Sequence, residues 1–388
     1  MNIRIIVCIA LLSVALSGCW GQRDIESQGF VIGTGIDLEE EELSEEPQFR
    51  MTNQTVVPPM LGTPGGQGTT ENSGTKNITA SGNSLAIASA NIDAVSARVP
   101  FYEHLKLIVI SKDLVSAPDL FPSVMDFFLR QAEMRREIKL VIADGKADSI
   151  MEIEPKGELL PIIYIQSSFE NMDQTLQILN APRIGDINEL LLNNYSYAIP
   201  MIKPAEDHGK IEGAAVFRGD TDMMIGRLDK EEVKGLNLIK GESEGGVIDF
   251  LYNEKVMDLR ISDLDSDLHI NVNDPENIKI SINIDVQGSV NEMSGGQTLR
   301  GEQYLDEIGK QVTKRIEELA MSVIDKGQKN LKVDFFGFIE HIHAKHYNEW
   351  KKIKDNWDLG DNLFAGSTID VSVKTKVEAI GAMDKTKR

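Results

Sequence analysis

The chain has 388 residues, of which 41% are apolar and 26% are charged. This length exceeds what one hydrophobic core usually accommodates, and this composition excludes intrinsic disorder as the general state, so two or three globular domains are expected. The 61 acidic residues outnumber the 40 basic ones and give a net charge of -21. This charge argues against nucleic-acid binding, because the phosphate backbone is also negative.

The first residues predict a bacterial lipoprotein signal peptide. Arg4 precedes an apolar run at residues 5–16, which is too short to span a membrane. The Leu-Ser-Gly-Cys sequence that ends at Cys19 resembles a lipobox, so signal residues 1–18 are removed and Cys19 carries a diacylglycerol. The alternative is an ordinary secretory signal that contains a cysteine. Since Cys8 lies in the removed segment, the mature chain has no partner for an intramolecular disulfide.

The first half of the mature chain predicts alternating strands and helices with one long loop. Residues 58–77 contain three prolines and five glycines, and plain disorder is favoured there over a functional loop. Pro118 is placed in the first turn of a helix and Pro122 at a kink or restart within it. Pro161 interrupts a later helical region. The strands are predicted at 30–37, 49–57, 104–111 and 137–143, and the helices at 84–99, 117–130 and 157–179.

The second half shows clearer periodicity. Residues 210–217 and 223–228 predict a hairpin, and a short helix follows at 229–237. Isoleucine or valine recurs at every second position over 278–286, which indicates a half-buried antiparallel strand, and 268–272 and 369–377 repeat the pattern. Apolar residues spaced by three and four over 305–323 predict a long amphipathic helix that Lys326 and Gly327 end.

These elements predict an α+β chain of several domains, with mostly antiparallel or mixed sheets that each pack against helices. No regular strand–helix alternation indicates a doubly wound parallel sheet. The predicted division gives a signal peptide at 1–18, an N-terminal α+β region at 19–205 that includes the loop 58–77, and a C-terminal α+β domain at 206–388. Prolines near residues 182 to 204 make 156–205 a possible separate middle domain.

No motif predicts catalysis, a metal site or a cofactor. His341, His343 and His346 lie close in sequence, but only the last two share a helical face and no second cluster completes a site, so a polar helical segment is favoured over a metal site. Ser243 lies in a G-x-S-x-G sequence that precedes a strand, whereas a nucleophile elbow precedes a helix. Gly33 and Gly35 lack the third glycine of a dinucleotide fingerprint.

Two segments are candidates for contact with other proteins. Arg130, Glu133, Arg135 and Arg136 are expected at an exposed helix end. A weak surface pair between Arg130 and Glu133 is the favoured interpretation, and the alternative makes Arg130, Arg135 and Arg136 contacts for an acidic partner surface. The apolar side chains of 335–342 are expected mainly in the core, with a partner interface as the alternative.

Five sequence motifs occur in the order found in one family. Trp20 follows the lipobox, and Arg-Asp-Ile-Glu and Gly-Thr-Gly-Ile-Asp come next. The later motifs are an His-x-Lys-apolar strand, an Asp-Phe-Phe-Leu-Arg helix end, a Gly-x-Ala-Val-Phe hairpin and an Asp-x-Phe-Gly-Phe helix. They lie at residues 18–26 and 33–37, 104–110, 126–136, 213–228 and 334–350. This series resembles the Ger(x)C family, the C-subunit lipoproteins of bacterial spore germinant receptors.

The resemblance implies a non-enzymatic subunit without a cofactor, anchored to the outer face of the cell membrane, which is the inner membrane of the spore. Its implied partners are the polytopic A subunit and the transporter-like B subunit of a nutrient receptor needed for germination. It leaves open whether this subunit contacts the nutrient. The alternative functions are a substrate-binding lipoprotein of a transporter and a cell-wall hydrolase. Neither the paired α/β lobes of the first nor the nucleophile or metal ligands of the second are indicated by the sequence.

Overall fold

A computed structural model describes residues 27–39, 46–57, 74–155, 157–170, 175–205, 208–243, 245–290 and 302–379. The predicted signal peptide, Cys19 and residues 58–73 of the glycine-rich segment lie outside these ranges. The last residues of that predicted loop belong to a strand, because Thr75 begins β3 (Thr75–Gly82).

The larger of two sheets has nine strands in the order β3-β2-β1-β5-β6-β7-β8-β9, and β4 pairs with β1. The other strands are β1 (Gln28–Glu39), β2 (Gln48–Val56), β4 (Val99–Phe101), β5 (Leu107–Ser111), β6 (Lys139–Ala143), β7 (Tyr197–Ala205), β8 (His208–Arg218) and β9 (Met223–Leu228). At its centre, β1, β5, β6 and β7 run parallel, whereas both flanks are antiparallel. The prediction of mixed sheets is confirmed, but the sequence did not indicate this parallel centre.

Helices cover both faces of the parallel centre. Ile108 and Ile110 of β5 pack into one core, and Leu107 and Val109 pack into a second core on the opposite face. A strand that is buried on both faces needs apolar residues at successive positions, which explains the continuous run in β5. The first core includes α1 (Leu85–Val95), α2 (Lys112–Ser116), α3 (Leu120–Arg130) and α6 (Ile184–Asn193), and the second includes α4 (Ala147–Met151) and α5 (Pro161–Glu170).

The prolines of the first half lie at or near helix starts. Pro122 is the third residue of α3 and Pro161 is the first residue of α5. Proline is tolerated in the first turn because the N–H groups there have no intrahelical partner. Pro118 lies before α3 and not in its first turn, so that prediction is wrong, whereas Pro122 lies in the first turn where the helix begins. The prediction of helix before Pro161 is also wrong, because residues 157–160 are not helical.

The smaller sheet has four strands and carries the long helix predicted from periodicity. Its strands are β10 (Gly246–Tyr252), β11 (Lys255–Asn271), β12 (Lys279–Val290) and β13 (Thr368–Ala379), in that order. Helix α7 (Lys230–Lys240) begins at an N-cap formed by Asp229, and α8 (Glu302–Asp325) buries Ile308, Val312 and Ile316. The hairpin of β8 and β9 and the alternation in β12 are also confirmed.

The α-helix α8 ends at Asp325, directly before Lys326 and Gly327 as predicted, but the helical path of the chain does not end there. Helical turns continue as a π-helix (Lys326–Leu331), and Lys332 ends them with a left-handed backbone at φ 56°. Gly327 is buried, and a Cβ atom there would lie 2.7 Å from the Phe336 ring. This glycine therefore permits close packing, and the turns that pass through it are π-helical.

Strand β8 links the two sheets. Ala215 and Phe217 belong to the core beside α3, whereas Ala214 and Val216 belong to the core of the smaller sheet. Both β7 and β8, on either side of the predicted boundary at 205 and 206, pair within the larger sheet. The division at this boundary, and the separate middle domain at 156–205, stay predictions.

Candidate functional site

Arg130 ends α3 and is highly exposed. Its Nε donates to the Oδ1 and Oδ2 atoms of Asp126 at 2.6 and 2.7 Å, and 78% of its side-chain surface is accessible. The predicted pairing of Arg130 with Glu133 is wrong, because α3 ends at Arg130. Side chains three positions apart lie on the same face only where both residues are helical. An exposed pair of this kind contributes about 0.3–0.5 kcal/mol.

Arg135 and Arg136 lie apart from Arg130, on the connection from α3 to β6. They line a groove of about 460 Å³ together with Arg183, which precedes α6. The backbone holds this arrangement, because the N–H of Gly185 donates to the carbonyl oxygen of Arg136 at 3.0 Å. Arg183 was not identified from the sequence, since it comes from a distant segment. Arg130 instead lines a mostly apolar pocket of about 280 Å³ beside Phe127.

The groove carries both signs of charge. Its three arginines are accompanied by three carboxylates, from Glu137, Asp186 and Glu189. Arg135 lies 3.6 Å from Glu137, and Asp186 accepts the N–H of Arg183 at 3.0 Å. In a chain with a net charge of -21, this groove is a locally neutral region whose exposed arginines can donate to a carboxylate-bearing partner.

His343 belongs to an aromatic stack that contacts Tyr195, just before β7 of the larger sheet. It lies on α9 (Phe338–Lys345), and its ring stacks on Trp350 of α10 (Tyr347–Ile353) with centroids 3.8 Å apart. Its Nδ1 is 3.0 Å from the hydroxyl of Tyr195, which follows α6. Burial raises the pKa of this hydroxyl to about 12. Within the described residues, no group of three His, Cys, Asp or Glu side chains is arranged to hold a metal ion.

The Asp-Phe-Phe-Gly-Phe segment is organised by the fully buried carboxylate of Asp334. Its Oδ1 accepts the backbone N–H groups of Phe336, Gly337 and Phe338 at 3.1, 3.2 and 3.3 Å. Its Oδ2 accepts the N–H of Ile339 at 2.8 Å and the indole N–H of Trp357 at 2.7 Å. These bonds fix the start of α9 and join it to the turn that precedes α11 (Leu363–Gly366).

Burial dominates the electrostatics of this carboxyl group. It raises the pKa of Asp334 to about 7, and the neighbouring carboxylate of Asp358 acts in the same direction, while the hydrogen bonds oppose both effects. Burial also raises the pKa of Asp358. Five apolar side chains of the segment are buried, which confirms their predicted place in the core: Phe335, Phe336, Phe338, Ile339 and Ile342.

The G-x-S-x-G sequence around Ser243 and the glycine pair Gly33 and Gly35 have roles in packing and hydrogen bonding. Ser243 Oγ donates to the carbonyl oxygen of Gly245 at 2.7 Å, and strand β10 follows, so the chain has no strand–turn–helix elbow there. Gly33 and Gly35 lie inside β1, where Ile162 and Met151 pack directly against them. Across the described ranges, the structure contains no helix that is both long and apolar enough to cross a membrane.

Two family models together match nearly the whole chain. Residues 21–204 match the model described as "Spore germination protein N-terminal domain", and residues 212–381 match "Spore germination B3/ GerAC like, C-terminal". The first range contains the larger sheet's parallel centre except for Ala205 at the end of β7, and the second contains the whole of the smaller sheet.

Relatives of known sequence and structure are similar over almost their full lengths. Spore germination protein YndF of Bacillus subtilis (strain 168) is 26% identical, with 97% of this chain and 96% of that protein covered. Spore germination protein A3 of the same organism is 27% identical over the full length of both chains. The crystal structure of the GerBC protein superposes with a TM-score of 0.60 and 21% identity, covering 89% of this chain and 97% of that chain. The chain therefore belongs to the Ger(x)C family of spore germination proteins.

Proposed function

We propose that this chain is a non-catalytic lipoprotein subunit of a spore germinant receptor, held on the outer face of the membrane by a diacylglycerol on Cys19. The observation that carries the proposal is the succession of a lipobox and two germination-family domains along nearly one whole chain. Two acyl chains bind a bilayer far more firmly than a single chain does, because each buried methylene contributes about 0.8 kcal/mol.

Assembly with the polytopic A and B subunits is the second part of the proposal. The groove beside Arg135 and Arg136 is a suitable contact because its arginines are exposed and two of them lie on the connection that leads into β6, a central strand of the larger sheet. Arginine forms bidentate hydrogen bonds with carboxylates, and such contacts add orientation as well as affinity. Arg130 is a separate proposed contact, since it lines another pocket. No nucleic-acid partner is proposed for so acidic a chain.

Replacement of Cys19 by alanine tests the anchor. We expect the Cys19→Ala protein to lose its lipid and most of its membrane-bound fraction, in a strain that lacks the proposed A and B subunits. Germination in response to nutrients is measured in the complete strain, where we expect it to be strongly reduced. A Cys19→Ala protein that still sediments wholly with membranes after a salt wash, with its signal peptide removed, would contradict the proposal.

Cys8 provides a matched control. It is the other cysteine of the chain and lies in the apolar run of the signal, so Cys8→Ala removes the same side chain from a part absent in the mature protein. We expect Cys8→Ala to leave processing, membrane attachment and germination unchanged. Loss of attachment in both variants would show that export, and not the lipid on Cys19, had been disturbed.

A further inference from the structure

An apolar and basic surface lies where the described chain begins. Strand β4 pairs with the first residues of β1, so that Val99 is the partner of Gln28. Val95, at the end of α1, and Val99 are 67% and 51% exposed, and Arg98 between them is also exposed. We call Lys76, Val95, Arg98 and Val99 the tether-side patch.

A pocket of about 250 Å³ adjoins this patch. Its walls include Val56, Val57, Ile78 and Pro100, and its charged lining residues are Lys76 and Arg98. None of the described lining residues is acidic, although acidic residues outnumber basic ones in the chain by 61 to 40. Neither cation forms an ion pair within the described ranges. The nearest acidic residue of α1, Asp93, is two positions from Val95 and therefore points to a different side of the helix.

The position of the patch limits its distance from the bilayer. Gln28 lies nine positions after Cys19, with eight residues between them. A fully extended chain of that length spans about 30 Å, so a lipid on Cys19 would keep the partner of Gln28 within that distance of the membrane surface.

We propose that the tether-side patch rests on the anionic headgroups of the bilayer and so sets the orientation of the anchored protein. This inference rests on the proposed lipid at Cys19. Valine side chains enter the headgroup boundary, while the long stems of Lys76 and Arg98 keep their charges among the phosphates. Each lysine or arginine close to an anionic membrane surface raises the binding constant for that surface about five-fold. The membrane therefore attracts this basic patch and repels the acidic remainder of the protein.

Single cysteines provide the test, because a lipid blocks the only cysteine of the mature chain. The lipidated protein carries Val95→Cys or Val99→Cys, and the new cysteine is labelled with a fluorophore. The protein is bound to vesicles of phosphatidylglycerol and phosphatidylethanolamine whose headgroups carry nitroxides, which quench a fluorophore that lies close to them. Val256→Cys is the matched control, since Val256 is 65% exposed and lies in β11 of the smaller sheet. We expect a loss of fluorescence at 95 and 99 and none at 256.

Charge variants and sedimentation distinguish the two proposals. Lys76→Gln with Arg98→Gln should remove most of the fluorescence loss at 99 while the protein stays with the vesicles. Unquenched labels at 95 and 99 on a sedimenting protein would overturn the orientation and leave the anchor intact. Labels shielded from both lipid nitroxide and aqueous iodide would also overturn it, because protein would then cover the patch. A protein with Cys19 intact that is recovered without a lipid and does not sediment with the vesicles would overturn the anchor and the orientation together.

Discussion

Replacement of Asp334 by asparagine measures how strongly one carboxylate stabilises the segment between α8 and α10. Five N–H donors converge on its two oxygens in a fully buried position. Asparagine has nearly the same shape but only one acceptor oxygen, so its amide NH₂ must face at least the two donors from Ile339 and Trp357. An unpaired buried donor costs about 1–3 kcal/mol. We therefore expect Asp334→Asn to lower the free energy of unfolding by about 2–6 kcal/mol.

Urea unfolding followed by tryptophan fluorescence is the assay, since Trp357 itself donates to Asp334. Measurement at about pH 8 keeps the carboxyl ionised, above the raised pKa of about 7. Equal denaturant slopes for the two proteins would show that stability alone has changed. Asp361→Asn is the matched control, because Asp361 is exposed in the same part of the chain and should change stability by less than about 0.5 kcal/mol.

A loss of less than about 1 kcal/mol in Asp334→Asn would refute this reasoning. It would mean that the native carboxyl is already protonated at that pH, or that the N–H groups find other acceptors. Trp357→Phe separates these cases, because it removes one donor and keeps an aromatic ring. A hydrogen bond to a charged group contributes about 1.5–3 kcal/mol, so a comparable loss in Trp357→Phe would indicate an ionised Asp334.

Three further predictions follow from buried and exposed groups. Phe338→Ala should lower the free energy of unfolding by about 3–5 kcal/mol, since Phe338 is 1% exposed, and an unchanged melting curve would contradict its place in the core. Burial, and then the charge of Asp220, raise the pKa of Asp222 to about 7. Between about pH 4 and about pH 7 the folded state keeps a proton on Asp222 that the unfolded state has lost. The contribution of Asp222 to the free energy of unfolding therefore falls as pH rises through this window. Asp222→Asn should gain stability relative to the wild type over that window in urea titrations, and a constant difference would count against the shift. Arg135→Glu with Arg136→Glu should leave the melting temperature unchanged and weaken receptor assembly in co-purification; full assembly would exclude these arginines as contacts.

Elements with strong local periodicity were predictable from sequence. In β12, Ile280, Ile282 and Ile284 are buried at alternate positions, and in α8 the apolar stripe faces the sheet. In such elements the pattern of burial repeats with the backbone period, so the sequence alone carries the signal.

Features that depend on distant segments were not predictable in this way. The run of five buried residues in β5 indicated a strand but not its parallel neighbours, β1 and β6, which come from separate parts of the chain. Arg183 joins Arg135 and Arg136 because several backbone hydrogen bonds, among them that from Gly185 to Arg136, hold two distant segments side by side. The contact of His343 with Tyr195 likewise joins residues that are 148 positions apart in the sequence.

The strand of the smaller sheet that comes last in the chain, β13, lies at one edge of that sheet, and this affects the order in which the protein can fold. β13 pairs in parallel with β12, with Thr368 opposite Lys279. Until β13 is present, the backbone N–H and C=O groups on that side of β12 form an open edge beside an isoleucine-rich face, which is a template for pairing with another chain. Pairing across so long a separation forms slowly, because the intervening chain must first be ordered. Export from the N-terminus, which the proposed function requires, would therefore complete this sheet only after residue 379 has crossed the membrane. Truncation before residue 368 would expose the isoleucine-rich β12 as an aggregation-prone edge in place of β13.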